Sequence, residues 1–198
     1  MAFDSFKGSL SSMEAGEAFA LGYRDVAPDA DIRIFSISDG GEGFSDAITA
    51  ARGGEIVECR VSNPLGRTIV ARYTIVDNEM AVISLASASG LTLLAPEERN
   101  PFLATTYGTG ELILDAVTRG CRRIIVGLGG SATTDGGAGM FRALGYCFYD
   151  AVGEELTHSI DILENAVKVS DKDVDVVLRN IEISVAVDVD NPLYGARG

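Results

Sequence analysis

The stretch GLGGSATTDGGAGM, Gly127 to Met140, decides how the rest of the chain is read. It follows the apolar run Ile124-Ile125-Val126 and precedes an apolar helical pattern, so it sits where a strand hands over to a helix. α/β proteins hold phosphates at such places, because glycine lets backbone N–H groups approach an anion and a helix N-terminus favours negative charge. The stretch is neither a P-loop nor a dinucleotide fingerprint: it lacks G-K-[ST] and has no G-x-G-x-x-G in the right frame. Gly129, Gly130, Ser131 and Thr133 offer amides and hydroxyls suited to phosphate. Asp135 suits either metal-bound water or the N-cap of the next helix.

Outward from this loop, strands alternate with helices, which argues for a mostly parallel α/β sheet. Ser11-x-x-Glu14 is a capping box opening a helix with Ala15, Ala18, Phe19 and Gly22 on one face, closed by Pro28. Ile32 to Ile37 reads as a strand, followed by the glycine turn SDGGEG and a helix carrying Phe44, Ala47, Ile48 and Ala51. Glu55–Val61, Thr68–Val76 and Met80–Leu85 read as β-runs joined by NPLG and DN turns, a hairpin or small antiparallel sheet. Thr106 to Gly110 opens a helix with Leu112, Ile113, Ala116 and Val117, stopped by Gly120. A helix running to Gly145, a strand near Tyr146 to Tyr149 and a helical stretch Ile160 to Ala166 lead to the last strand, Ile183 to Val189. The expected fold is α/β: a Rossmann-like, mostly parallel sheet with helices, plus a smaller α/β region containing antiparallel strands. The expected division is 1–98, holding the hairpin, and 99–198, holding the glycine-rich loop.

The 198-residue chain carries net charge −13 with 46% hydrophobic residues. That acidity disfavours nucleic acid and anionic membranes and favours a small-molecule or protein partner. It also requires local positive charge or a divalent metal wherever an anion binds. Cys59, Cys121 and Cys147 are an odd number without CxxC, which points to reduced, packed thiols in a cytoplasmic protein. No apolar run is long enough to cross a membrane.

Several residues have the chemistry of an anion site. Lys7, in the loop that opens the first helix, can pair a phosphate or a carboxylate, and Asp4 and Ser5 beside it either bond substrate or cap. Asp39 and Glu42 flank a glycine pair at a strand end, where carboxylates hold Mg²⁺, accept a proton or simply make the turn. Asp188 and Asp190, in DVDNPLYG, follow the last strand at the end where open α/β sheets place ligands; either suits a base or a metal ligand. Arg99 and Thr106 belong to an anion-friendly turn before a helix. His158, the lone histidine, reads as a surface or capping residue.

Taken in order, DSFKGSLSS, DGGEG, NPLG, ASGL, RNP, TTYGTGELI, IIVGLGGSATTDGGAGM and DVDNPLYG resemble the bacterial-type glycerate kinases over nearly the whole chain. The resemblance implies a two-domain α/β enzyme that phosphorylates D-glycerate with ATP and Mg²⁺, with 2-phosphoglycerate the favoured product. It implies catalytic roles among Lys7, Asp39, Asp188 and Asp190. Substrate or phosphate contacts fall to Asp4, Ser5, Arg99, Thr106, Gly129, Gly130, Ser131 and Thr133, and metal binding to Asp135 and Asp188. The partners implied are D-glycerate and ATP, with no nucleic acid and no membrane; a homo-oligomer stays open. Family members run to nearly twice this length and begin with a KIVIAP-like strand, for which only Met1-Ala2-Phe3 stands here; the fold is expected to be incomplete, with unpaired sheet edges and marginal stability. Ser84 stands where an acidic residue is common. Two alternatives remain: a non-catalytic phosphate- or glycerate-binding relative, and a different small-molecule phosphotransferase or phosphatase.

Overall fold

A computed structural model describes residues 1–4, 6, 9–38, 40, 41, 43–190, 192, 195 and 196. In chain order the elements are β1 (Ala2–Phe3), α1 (Ser12–Val26), β2 (Phe35–Ser36), α2 (Phe44–Arg52), β3 (Glu55–Ser62), β4 (Thr68–Val76), β5 (Met80–Ser84), α3 (Ala86–Ser89), α4 (Tyr107–Thr118), β6 (Arg123–Gly127), α5 (Ala138–Ala143), β7 (Cys147–Tyr149), β8 (Glu155–Leu156), α6 (Ser159–Asn165), β9 (Lys168–Ser170) and β10 (Glu182–Ala186).

The central sheet has the order β10-β6-β5-β4-β3. β10, β6 and β5 run parallel, while β4 and β3 continue the same sheet as an antiparallel hairpin. β1 and β2 pair in parallel as a separate two-stranded unit, and β8-β7-β9 form a small antiparallel sheet. The fold is therefore mixed α/β, as expected. The hairpin belongs to the central sheet rather than to a region of its own, because β5 pairs β4 on one side and β6 on the other.

Both faces of the sheet centre are covered, which explains why β5 is buried at all its positions. Side chains alternate with the period of two. Ala81, Ile83, Ile124 and Val126 face the core that includes Leu112, Ile113, Ala116 and Val117 of α4. Met80 and Val82 face the other way, onto Phe44 of α2. The β4–β5 connection, residues 77–79, takes positive φ at Asp77 (54°) and Asn78 (57°), a conformation that Asp and Asn tolerate. Inside the larger core the Tyr73 hydroxyl donates to Asp115 Oδ2 at 2.8 Å, and Asp115 is held in turn by Arg119 Nε at 2.8 Å. Burial first, then the bond to Asp115, pushes the Tyr73 phenol far above its ordinary pKa.

Three expectations shift. The buried face of α1 is Ala15, Gly16 and Ala20, while Phe19 is exposed. The cause is Gly16, which packs against Ile34 so closely that an added Cβ would collide with Ile34 Cγ2. Phe19 instead lies against Phe3 at 5.5 Å between ring centroids. The strand expected over 32–37 is only Phe35–Ser36, matched to the two-residue β1 it pairs with. The last strand ends at Ala186 rather than Val189, where its pairing to β6 stops at Gly127. β10 is a sheet edge whose side chains are mostly exposed, with Ile183 at 43% and Val185 at 57%. Among the described residues no helix is long and apolar enough to cross a membrane.

The Ser11 capping box is formed: Ser11 N–H donates to Glu14 Oε2 at 2.7 Å and Glu14 N–H to Ser11 Oγ at 3.2 Å. The Ser11 hydroxyl, then its N–H, holds the Glu14 carboxyl below its ordinary 4.5. A depressed folded-state pKa stabilises the fold above the unfolded value, and that stabilisation is lost as pH falls through the depressed one. The melting-temperature difference between wild type and Glu14→Gln is therefore expected to be constant above pH 4.5 and to shrink on further acidification. A difference that grows on acidification contradicts the capping box. Tyr73→Phe is expected to cost about 1 kcal/mol in urea unfolding, and about 1–3 kcal/mol if Asp115 is left poorly satisfied. Tyr73 is also expected to stay protonated in an ultraviolet titration that ionises exposed tyrosines.

Candidate active site

Three chain segments meet at the carboxyl ends of β2, β6 and β10. Leu128 N–H donates to Ala186 O at 3.1 Å, and Gly129 N–H donates to Gly40 O at 3.0 Å. This is backbone packed on backbone. A Cβ on Gly127 would strike Gly40 O, and one on Gly129 would strike Gly41 Cα. At Gly40, where φ is +93°, a Cβ would stand 2.6 Å from Ala186 O. The two glycine-rich turns are thus each other's packing partner, a reason for their composition beyond any ligand. They place Gly40 and Gly41, the 127–130 turn and the 186–190 segment at the end of the sheet where open α/β folds bind ligands.

Among the candidate residues, Ser5, Lys7, Asp39 and Glu42 lie outside the described residues. Asp4 is exposed after β1, and Asp188 and Asp190 are exposed just past β10. Gly130 and Ser131 are exposed, and their N–H groups meet no acceptor among the described residues, whereas the Gly129 N–H is already committed to Gly40. The Ser131 hydroxyl accepts from Thr133 N–H at 3.0 Å and lies 3.1 Å from Thr133 Oγ1. Arg99 is exposed and bonds Leu94 O through Nε at 3.4 Å. His158 is exposed at the N-cap position of α6.

Asp135 behaves differently. It is 2% exposed. Its carboxylate accepts from Thr106 N–H (2.8 Å), Thr106 Oγ1 (2.9 Å), Gly137 N–H (3.0 Å), Gly139 N–H (3.1 Å), Ser159 Oγ (3.2 Å) and Thr133 Oγ1 (3.4 Å). Thr106 Oγ1 accepts in turn from Met140 N–H at 2.9 Å. One carboxylate therefore ties the starts of α4, α5 and α6 together, and the side chains of Asp135 and Thr106 are both spent on protein partners. α4 and α5 come this close because Gly110 carries no Cβ, which would stand 2.5 Å from Met140 O.

A cleft of about 680 Å³ opens at the carboxyl ends of β2 and β5, against the N-terminal ends of α1 and α2. Its polar lining includes Ser36, Ser45, Ser84, Ser87 and Arg72. Ser84 is buried, and its hydroxyl accepts from Ser45 N–H at 3.2 Å, satisfying a donor of the first turn of α2. Arg72 pairs with Asp46 at 2.9 Å. Ser45, Asp46 and Arg72 carried no motif to flag them; only the packing of α2 on β4 and β5 brings them to the cleft. Among the described residues Ser38 Oγ is buried without a hydrogen-bond partner. Also among them, no group of three or more His, Cys, Asp or Glu side chains is placed to hold a metal. Among the described residues Asp188 and Asp190 form no hydrogen bond or ion pair, so their oxygens suit a hard cation that takes few protein ligands and fills its shell with phosphate and water.

The glycerate kinase family profile matches residues 1–198. The chain belongs to the glycerate kinase family. A glycerate kinase of Bacillus subtilis (strain 168) is 45% identical over 98% of this chain and 51% of its own length. A glycerate 2-kinase of Escherichia coli (strain K12) is 43% identical over 98% of this chain and 51% of its own. A crystal structure assigned by name to glycerate kinase 2 of Salmonella typhimurium LT2 superposes with a TM-score of 0.83 at 42% identity, covering all of this chain and 53% of that one. The chain thus spans about half the length of the curated relatives it matches.

Asp135→Asn puts an amide N–H₂ among N–H and O–H donors, and is expected to cost about 3 kcal/mol in urea unfolding. Thr133→Ala removes only the longest of these bonds and is expected to cost less than about 1 kcal/mol. Equal costs would contradict the clamp.

Proposed function

We propose that this chain supplies the phosphoryl-transfer edge of a glycerate kinase that uses ATP and Mg²⁺ to convert D-glycerate to 2-phosphoglycerate in the cytoplasm. The observation that carries the reading is the contact between the Gly40–Gly41 and Gly127–Gly129 turns beside the end of β10. The Gly130 and Ser131 amides and the Ser131 and Thr133 hydroxyls follow β6, and the exposed Asp188 and Asp190 follow β10, its parallel neighbour in the sheet.

Phosphoryl transfer needs positioning and charge neutralisation more than covalent help from the protein. The Gly130 and Ser131 N–H groups bind phosphate oxygens as fixed donors, and the Ser131 and Thr133 hydroxyls rotate from Thr133 O and Asp135 to join them. Lys7 supplies the positive charge that a chain of net charge −13 must concentrate locally. The serine-lined cleft receives the glycerate, with Asp4 and Ser5 as further contacts. The attacking hydroxyl loses its proton as the new P–O bond forms. Asp39, Asp188 and Asp190 are the carboxylates proposed to accept it, and whichever of Asp188 and Asp190 is not the base would hold Mg²⁺, which would supply charge to offset that of the phosphates. Asp135 and Thr106 act through other groups, by holding the loop that carries Ser131 and Thr133. Arg99 serves long-range attraction of anions, from an exposed position.

ADP release from MgATP, measured with and without D-glycerate, tests the reading in the protein that carries this chain. Glycerate-dependent release is expected, with the phosphorus spectrum of the product assigning the 2-position. Lys7→Ala and Ser131→Ala are expected to lower kcat/KM by about 10²–10³-fold, the loss typical of one transition-state donor. Glycerate binding without any ADP release would overturn the kinase reading in favour of a binding protein. Release with other acceptors but not glycerate would point to another phosphotransferase.

A further inference from the structure

A second cleft, of about 320 Å³, lies among the β3–β4 turn, residues 102–107 and the start of α6. Leu65, Phe102 and Leu103 give it an apolar wall; Tyr107, Arg142 and His158 line it as well. Phe102 and Leu103 are 61% and 68% exposed, unusually open for large apolar side chains. The volume is at the low end for small-ligand sites.

Arg142 is what makes this cleft more than a crevice. Its guanidinium carbon lies 5.7 Å from the centroid of the Tyr107 ring, and Nη1 donates to Thr157 O. Those two contacts fix the fork and leave other N–H donors over. No carboxylate among the described residues pairs with it, although Asp161 lines the same cleft. By contrast Arg52, Arg67, Arg119 and Arg179 are ion-paired at 2.8–2.9 Å, and so is Arg72 in the larger cleft. A held but uncompensated guanidinium in a chain of net charge −13 is a site for an anion.

The walls are preformed. Asn63 Oδ1 accepts from Leu65 N–H at 3.0 Å and Arg67 N–H at 2.9 Å, and Pro64 O accepts from Thr105 N–H at 2.9 Å. Ser159 Oγ reaches Thr105 Oγ1 and Asp135 Oδ2, both at 3.2 Å, so one wall is fastened to the clamp beneath the glycine loop.

We propose that this cleft binds a small organic anion, its carboxylate or phosphate on Arg142 and its apolar body against Leu65 and Phe102. The proposal does not depend on the kinase reading. Benzoate, phenyl phosphate and inorganic phosphate are the probes, and binding is followed by amide NMR titration of this chain. Benzoate or phenyl phosphate, or both, is expected to shift the amides of residues 102–107 and 157–161, and the arm that binds tighter tells carboxylate from phosphate recognition. Arg142→Gln is expected to weaken that binding at least about tenfold, as loss of a charge-assisted contact does. Arg142→Lys, which keeps the charge but not the fork, is expected to fall between. Phe102→Ala, at an exposed position that does not threaten folding, is expected to weaken the aryl anions and spare inorganic phosphate. Arg60→Gln, a charge-matched exposed control, is expected to change nothing. Equal binding by wild type and Arg142→Gln, equal weakening by Arg60→Gln, or shifts confined to the 127–137 loop would each overturn the proposal.

Discussion

The close approach of two glycine turns sets the geometry at the business end of this fold. With Gly127 and Gly129 against Gly40 and Gly41, the β2 unit, the β6 loop and the end of β10 share one patch of backbone. No side chain fits between them. Any residue with a Cβ at these positions must displace main chain rather than a flexible tip, and packed interiors resist that. The amides beyond Gly129 and the end of β10 at Ala186 are held against Gly40 by this contact.

Asp135 is the second constraint, and it works by charge rather than by shape. Helix starts leave N–H groups without partners, and here the carboxylate gathers those of α4 and α5 together with the hydroxyls of Thr106 and Ser159. Removing it would leave several buried donors unpaired at once, a cost far above that of a surface capping residue. The loop that presents Ser131 and Thr133 is thereby anchored at one end by glycine packing and at the other by a buried ion. That is how a loop of small residues becomes a fixed array of donors.

Much of the frame was legible in the sequence because it is local. The β-type run Thr68–Val76 marks β4 to the residue, the Asp-Asn pair marks its turn, and the Ser11 and Glu14 spacing marks the start of α1. What was not legible is set by contacts distant in sequence. Asp135 read equally well as a metal ligand or a cap, and only the docking of Thr106, 29 positions away, fills its oxygens. Phe19 looked like core until Gly16 turned the helix onto Ile34. Ser45 and Arg72 had no motif, since their place in the cleft comes from α2 lying on the sheet. Arg142 was invisible for the same reason: its lack of a carboxylate partner is a property of the packed chain.

The central claim is that the edge built by the glycine contact is where phosphate binds. An amide NMR titration of this chain with MgADP tests it most directly. The account predicts that the largest early shifts fall on Gly130, Ser131 and Thr133, with smaller ones at Gly40 and Gly41 transmitted through the Gly129–Gly40 hydrogen bond. Shifts that leave 127–133 unmoved and gather elsewhere on the sheet or its helices would contradict it.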